Sequence, residues 1–384
     1  MGGVCMKRFA AAALLAVFWL CLPASAEGPA VSAPSALLME KQTGTVLFAQ
    51  DEHTPREPAS VTKIMTLLLT MEAIDSGALS YDDLVTGTAH AAGMGGSQIW
   101  LKEGERMTVH DLLKAVCIVS GNDAAVALAE HLAGSEEAFV ERMNRRAQEL
   151  GMNDTHFVNC TGLPAAGHLT SAYDIALMSR ELILNHSDIR QFTTVWMDSL
   201  RGGESMLVNT NKLIRFYDGA TGLKTGSTAS AGYCLSATAE KNGMELIAVI
   251  LKGKTSDERF ADAKSLLNYG FSTWTLVSVS PDEALPPVGV TLGVRPTVQP
   301  VMPPEHTLLV EKTRVNGLST QTVLEESVAA PVYAGDVLGT LTVRDAEGTT
   351  VAELPLIAGE DVGRVTFSQM LRRYLALGLC SAGG

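Results

Sequence analysis

The sequence lacks every spacing that would announce a metal site. None of its six cysteines stand at CxxC spacing, and its eight histidines form no HExxH or comparable cluster. No metal and no other cofactor is therefore expected. A basic stripe is also missing. Asp and Glu total 42 against 29 Lys and Arg, for a net charge of −13, which excludes nucleic acid as an expected partner. The bias of disordered or fibrous chains is absent too. At 46% hydrophobic and 18% charged residues, the composition is that of a globular protein. The apolar run Phe9–Leu22 near the start is short for a bilayer span.

That run instead completes an export signal over residues 1–26. Lys7 and Arg8 form its basic region, and Ala24-Ser25-Ala26 supplies the small-residue cleavage site before Glu27. Removing it leaves four cysteines, Cys117, Cys160, Cys234 and Cys380, expected to be unpaired and mostly buried. The remaining chain of 384 minus 26 residues favours two domains. A core of roughly 250 residues buries about 70–75% of its unfolded surface, so it needs no disulfide or metal to hold together.

Local patterns predict the elements. Ala36–Gln50 reads as a hairpin turning at Gln42-Thr43-Gly44. A helix is expected to start at Pro58 or Ala59 and run to Ile74, apolar on most sides. Further helices are expected over Asp111–Val119, Asp123–Leu132, Ser135–Leu150 and Ser171–Leu184. Strands follow at Thr221–Thr225, Gly232–Ala239 and Met244–Leu251, the last two joined at Asn242-Gly243, and then a helix at Ser256–Leu267. Strands at both ends of a helical middle imply an α/β (α+β) domain over residues 30–276, with one sheet shared by both ends and flanked by helices.

From Pro286 onward prolines accumulate, and short strands at Thr307–Val310, Leu338–Val343 and Val351–Leu356 indicate a small all-β domain over 277–361. Residues 362–384 read as an amphipathic helix. Phe367, Met370, Leu371, Tyr374, Leu375 and Leu377 share one face, with Arg372 and Arg373 opposite. The helix is too short to span a bilayer. Its two readings are a membrane-surface anchor and docking onto the β domain.

Three short motifs carry chemistry. Ser60-Val61-Thr62-Lys63 places a hydroxyl and an amine three residues apart on a helix, hence on one face. Serine is a weak nucleophile until a neighbouring base activates it, and a lysine serves as that base once burial or a nearby cation lowers its pKa. The Ser60 backbone N–H, near the helix start, also points at any oxyanion formed there. Ser120-Gly121-Asn122, between two helices, offers a hydroxyl for proton relay and an amide for a substrate amide. Lys224-Thr225-Gly226, on a strand before Ser227, pairs a cation with a hydroxyl, which suits a carboxylate. The missing side chain at Gly226 would let a ligand backbone lie along the strand. Singly each is weak, but each occurs once, and together in this order they match the SxxK, SxN and KTG set of serine acyl-transfer enzymes.

On these residues the chain resembles the low-molecular-mass penicillin-binding proteins, the serine-type D-Ala-D-Ala carboxypeptidase family. Glu57–Thr66, Gly95-Gly96-Ser97-Gln98 and Thr161-Gly162-Leu163-Pro164 resemble further segments of that family, as do the β domain and tail. The resemblance implies a β-lactamase/transpeptidase-like catalytic domain that removes the terminal D-alanine from peptidoglycan stem peptides and is acylated by β-lactam antibiotics. Ser60 would be the nucleophile, Lys63 the base and Ser120 the proton relay. Asn122 would hold the substrate amide, Thr225 the terminal carboxylate, and Lys224 would help Ser120 pass its proton to the leaving D-alanine. Ser60 and Ser227 would supply the oxyanion N–H groups, and Arg259 would align with a family arginine near the carboxylate. The resemblance also implies an extracytoplasmic enzyme, peripheral on the outer face of the cytoplasmic membrane.

Rivals share the scaffold. Glu181-Leu182-Ile183-Leu184-Asn185 superficially matches the Glu-x-x-x-Asn loop of class A β-lactamases, but it lies 59 residues after Asn122 and continues a helix. It is read as helix surface. A D,D-endopeptidase or transpeptidase stays open on the motifs alone. A non-catalytic wall-binding protein would need no nucleophile–base pair.

Overall fold

The structure, a computed structural model, describes residues 28–303 and 306–372. The expected export signal therefore lies outside the described residues, as does most of the expected tail helix. The central feature is an antiparallel five-stranded sheet. Its order is Val46–Gln50, Ser35–Glu40, Met244–Gly253, Gly232–Lys241, Ala220–Thr228. The first strands of the chain thus pair with strands some 200 residues later, Leu37 opposite Val249 and Leu38 opposite Ala248, as the sequence pattern anticipated. The expected turn at Asn242-Gly243 is a two-residue hairpin with both residues at positive φ, 52° and 78°, the geometry that matches strand twist.

Both faces of the sheet are covered, so its central strands are apolar at nearly every position. Leu37, Met39, Ile247 and Val249 enter one core with Ile64, Leu67 and Leu68. Alternate residues Leu38, Leu246, Ala248 and Ile250 enter the other, against Ala263, Leu266 and Leu267. Each large aliphatic chain so buried contributes about 1.5–3 kcal/mol. The helix Lys63–Asp75 is buried over most of its first two turns, which explains why Ile64, Met65, Leu67 and Leu68 follow one another there. It is flanked by the helices Val109–Val119, Asn122–Ala133 and Ala172–Asn185. The helix Ser256–Thr273 covers the opposite face. Its Asp262 carboxylate accepts from the Ser32 and Ala33 N–H groups at 3.0 and 2.9 Å, pinning the chain entry.

Beyond Thr273 the chain enters the strand Trp274–Ser278, which pairs with Thr307–Glu311. One face of this ribbon, Trp274, Leu276 and Leu309, packs on the Leu38 core, while Val277 and Leu308 pack on the core of the β domain. The expected division at 276/277 therefore falls inside a strand. The strand alternates between two cores, so no compositional break marks the boundary. The expected strands of the β domain are present as Thr307–Glu311, Val337–Arg344 and Thr350–Ala358. Ser319–Leu324, which pairs with Val337–Arg344, was not anticipated, because its polar composition carries no apolar alternation. Residues 367–372 are helical, and Phe367 and Leu371 are 81% and 50% exposed.

Candidate active site

The nucleophile segment begins with strain. Ala59 has φ +49°, and the first turn, Ala59–Thr62, is a 3-10 helix rather than the expected α-helix, which starts at Lys63. The Ala59 carbonyl is held from behind. Thr62 Oγ1 donates to it at 2.8 Å, and His168 Nε2 lies 2.8 Å from Thr62 Oγ1. The Val158 N–H donates to His168 Nδ1 at 3.0 Å, so the ring proton sits on Nε2 and points at Thr62. Burial lowers His168 to about 4, keeping it neutral. Gly162, at φ +82°, presses on the same carbonyl so closely that a Cβ there would lie 1.8 Å from Ala59 O.

Ser60 and Lys63 meet as their spacing predicted, with Ser60 Oγ 3.0 Å from Lys63 Nζ. The amine is fully buried and lies 2.5 Å from Asn122 Oδ1 and 2.7 Å from Thr161 O. Burial first, then the positive charge of Lys224, hold Lys63 well below the ordinary lysine range. A neutral amine has two N–H donors and one lone pair. Asn122 and Thr161 take the donors, which leaves the lone pair for the Ser60 hydroxyl.

Ser120 ends its helix in the left-handed conformation, φ +64°, and its Oγ is buried without a partner. A buried unpaired hydroxyl at a cleft wall is open to a transient proton-transfer partner. Asn122 is the first residue of the next helix rather than part of a loop. Its amide is engaged on both sides, since Nδ2 donates to Gly95 O at 2.7 Å. Only the second Nδ2 hydrogen remains for a substrate, because fixing Lys63 uses the oxygen.

Lys224, Thr225, Gly226 and Ser227 lie on Ala220–Thr228, the edge strand. Lys224 is buried and donates to Thr225 O at 2.9 Å. Burial, with Arg259 adding to it, lowers Lys224 to about 7. The Thr225 hydroxyl lies 2.7 Å from Thr210 Oγ1, and Ser227 is exposed. A Cβ at Gly226 would meet Ser60 N at 2.8 Å and Pro58 O at 2.9 Å, so the missing side chain makes room for the nucleophile turn. Arg259 Nη1 donates to Gly226 O at 3.0 Å and Cys234 O at 3.1 Å, tying the edge strand to the helix behind it.

Sequence reasoning missed Asp123 as a site residue. Its buried carboxylate accepts the Ile99 and Leu101 N–H groups, both at 3.0 Å, and shapes the loop that also contacts Asn122. Adjacency to the second motif was the available signal. It also missed His168, Thr62 and Thr210, whose partners are brought to them only by the fold. Glu181 is bound to Arg146 Nη2 at 2.6 Å. Cys117, Cys160 and Cys234 are free and buried, as expected, while Cys380 lies outside the described residues. Burial raises the thiols, Cys117 to about 12 and Cys234 to about 11, which leaves both inert as thiolates at neutral pH.

A half-buried serine beside a buried lysine, a second serine and a cationic edge strand define a serine acyl-transfer enzyme of the transpeptidase-like class. The D-alanyl-D-alanine carboxypeptidase family model matches residues 23–255, and the model of the C-terminal domain of penicillin-binding protein 5 matches 278–364. The chain is 40% identical to D-alanyl-D-alanine carboxypeptidase DacF of Bacillus subtilis over 96% of its length and 98% of that protein's. Penicillin-binding protein 5 of Haemophilus influenzae superposes with a TM-score of 0.79 at 28% identity, covering 88% of this chain and 99% of that one. Penicillin-binding protein D2 of Listeria monocytogenes in its ampicillin-bound form gives 0.58 at 32% identity, covering 63% and 98%. The chain belongs to the D-alanyl-D-alanine carboxypeptidase family, and it is a penicillin-binding protein with that activity.

Proposed function

We propose that the enzyme removes the terminal D-alanine of peptidoglycan stem pentapeptides through an acyl-enzyme on Ser60. The observation that carries this reading is the 3.0 Å approach of Ser60 Oγ to a buried, pKa-lowered Lys63. Lys63 takes the hydroxyl proton as Oγ bonds to the penultimate carbonyl carbon, and the backbone N–H groups of Ser60 and Ser227 receive the oxyanion. The C–N bond then breaks, and the proton reaches the leaving amine from Lys63 through Ser120. Water, deprotonated by Lys63, hydrolyses the ester and regenerates Ser60. Lys224 and Thr225 hold the substrate carboxylate, Asn122 the substrate amide through its free Nδ2 hydrogen, and Arg259 keeps the Gly226–Ser227 strand in place.

β-Lactams acylate Ser60 on the same reading, because the lactam amide presents the same carbonyl to the nucleophile. A β-lactamase is disfavoured, since Glu181 is held by Arg146 and touches no motif residue. The test is release of D-alanine from diacetyl-Lys-D-Ala-D-Ala together with labelling by a fluorescent penicillin. Wild type is expected to do both and Ser60→Ala neither. Rapid lactam turnover without D-alanine release would reject the carboxypeptidase mechanism.

We further infer export by the 1–26 signal and peripheral attachment to the outer face of the cytoplasmic membrane through 362–384. The exposure of Phe367 and Leu371 supports an unpacked apolar face. Among the described residues no helix is long and apolar enough to cross a membrane. Deleting residues after Asp361 is expected to shift the protein from the membrane pellet to the soluble fraction. Retention in the pellet would refute the anchor.

A further inference from the structure

Trp100 has a backbone that bulky residues avoid, at φ +58°. The strain persists because the loop is gripped on both sides. The Ile99 and Leu101 N–H groups both donate to Asp123, and Arg201 Nη1 donates to Ile99 O at 3.0 Å. Arg201 is itself at φ +53° and is locked to Glu105 by two hydrogen bonds, at 2.7 and 3.2 Å. So much clamping serves to present an indole that is 75% exposed and contributes little to any core. Overdetermined strain of this kind marks a functional position.

The loop also borders the cleft. Gly95 O accepts from Asn122 Nδ2, and Ser97 O accepts from the Asn122 N–H at 2.7 Å. Trp100 follows Ser97 by three residues, which limits their Cα separation to about 10 Å. It therefore belongs to the same loop whose Gly95 and Ser97 carbonyls bind Asn122.

We propose that Trp100 is a specificity-determining residue whose indole packs on the aliphatic side chain of the stem-peptide residue immediately before D-Ala-D-Ala. This rests on the roles assigned above. With the terminal carboxylate at the edge strand, the retained half of the substrate extends along the opposite wall. A flat aromatic face there offers a large apolar surface on which methylenes pack.

The experiment compares kcat/KM for diacetyl-Lys-D-Ala-D-Ala and acetyl-Gly-D-Ala-D-Ala, which lacks the side chain. Wild type is expected to prefer the lysyl peptide. Trp100→Ala is expected to reduce that preference about tenfold, and Trp100→Phe to retain most of it. Trp100→Gly, which relieves the left-handed strain, is expected to lose the preference with a Tm at or above that of wild type. An unchanged ratio, or equal losses on both peptides with a lowered Tm, would overturn the assignment. Wild type that cleaves neither peptide would instead reject the underlying carboxypeptidase mechanism, and the Trp100 role with it.

Discussion

Lys63→Gln is expected to lower D-alanine release and penicillin acylation by roughly three orders of magnitude or more, with the fold retained. Glutamine is neutral and of similar reach, so it introduces no buried charge, but its amide cannot accept the Ser60 proton. The same assignment fixes the pH dependence. Lys63 must be unprotonated, so kcat/KM rises as pH climbs through its lowered pKa. Lys224 must be protonated to hold the carboxylate, so kcat/KM falls as pH passes about 7, where Lys224 loses its proton. Burial and the charge of Lys224 both favour the unprotonated form of Lys63. A bound carboxylate favours the charged Lys224, so the alkaline limb of kcat should lie above that of kcat/KM. Stopped-flow acylation and steady-state profiles check this. A profile with no acid limb would remove Lys63 from the role of base.

The parts of this site visible in the sequence are those whose geometry is local. Ser60 and Lys63 share one turn, and the edge strand carries Lys224 to Ser227, so spacing alone placed them. The sheet was legible for a similar reason, since its strands are bounded by strong turn signals such as Asn242-Gly243. Hidden features depend on contacts between distant segments. Thr210 meets Thr225, and His168 meets Thr62, 106 residues away, only after folding. Gly226 lies against the nucleophile turn and Arg259 against strand carbonyls, contacts that no spacing rule reveals. The boundary ribbon Trp274–Ser278 was hidden because it serves two cores at once.

Gly162→Ala is expected to destabilise the enzyme by at least about 3 kcal/mol, or roughly 6–12 °C in Tm, and to cut acylation more than tenfold at temperatures where it remains folded. Two costs combine. An alanine at φ +82° pays about 1–2 kcal/mol for the left-handed conformation, and its Cβ would sit 1.8 Å from Ala59 O, a backbone atom that cannot rotate aside. Relief requires the 159–168 loop to withdraw. That movement removes Thr161 O from Lys63 and His168 from Thr62, the two contacts that position base and nucleophile. Gly167→Ala separates the terms, because Gly167 has the same φ of +82° on the same loop with nothing within 4 Å of its Cβ position. It should show only the conformational cost, with acylation close to wild type. Thermal melts and penicillin acylation rates on the two variants measure the difference. Equal effects would mean that the approach of Gly162 to Ala59 does not hold Ser60 in place.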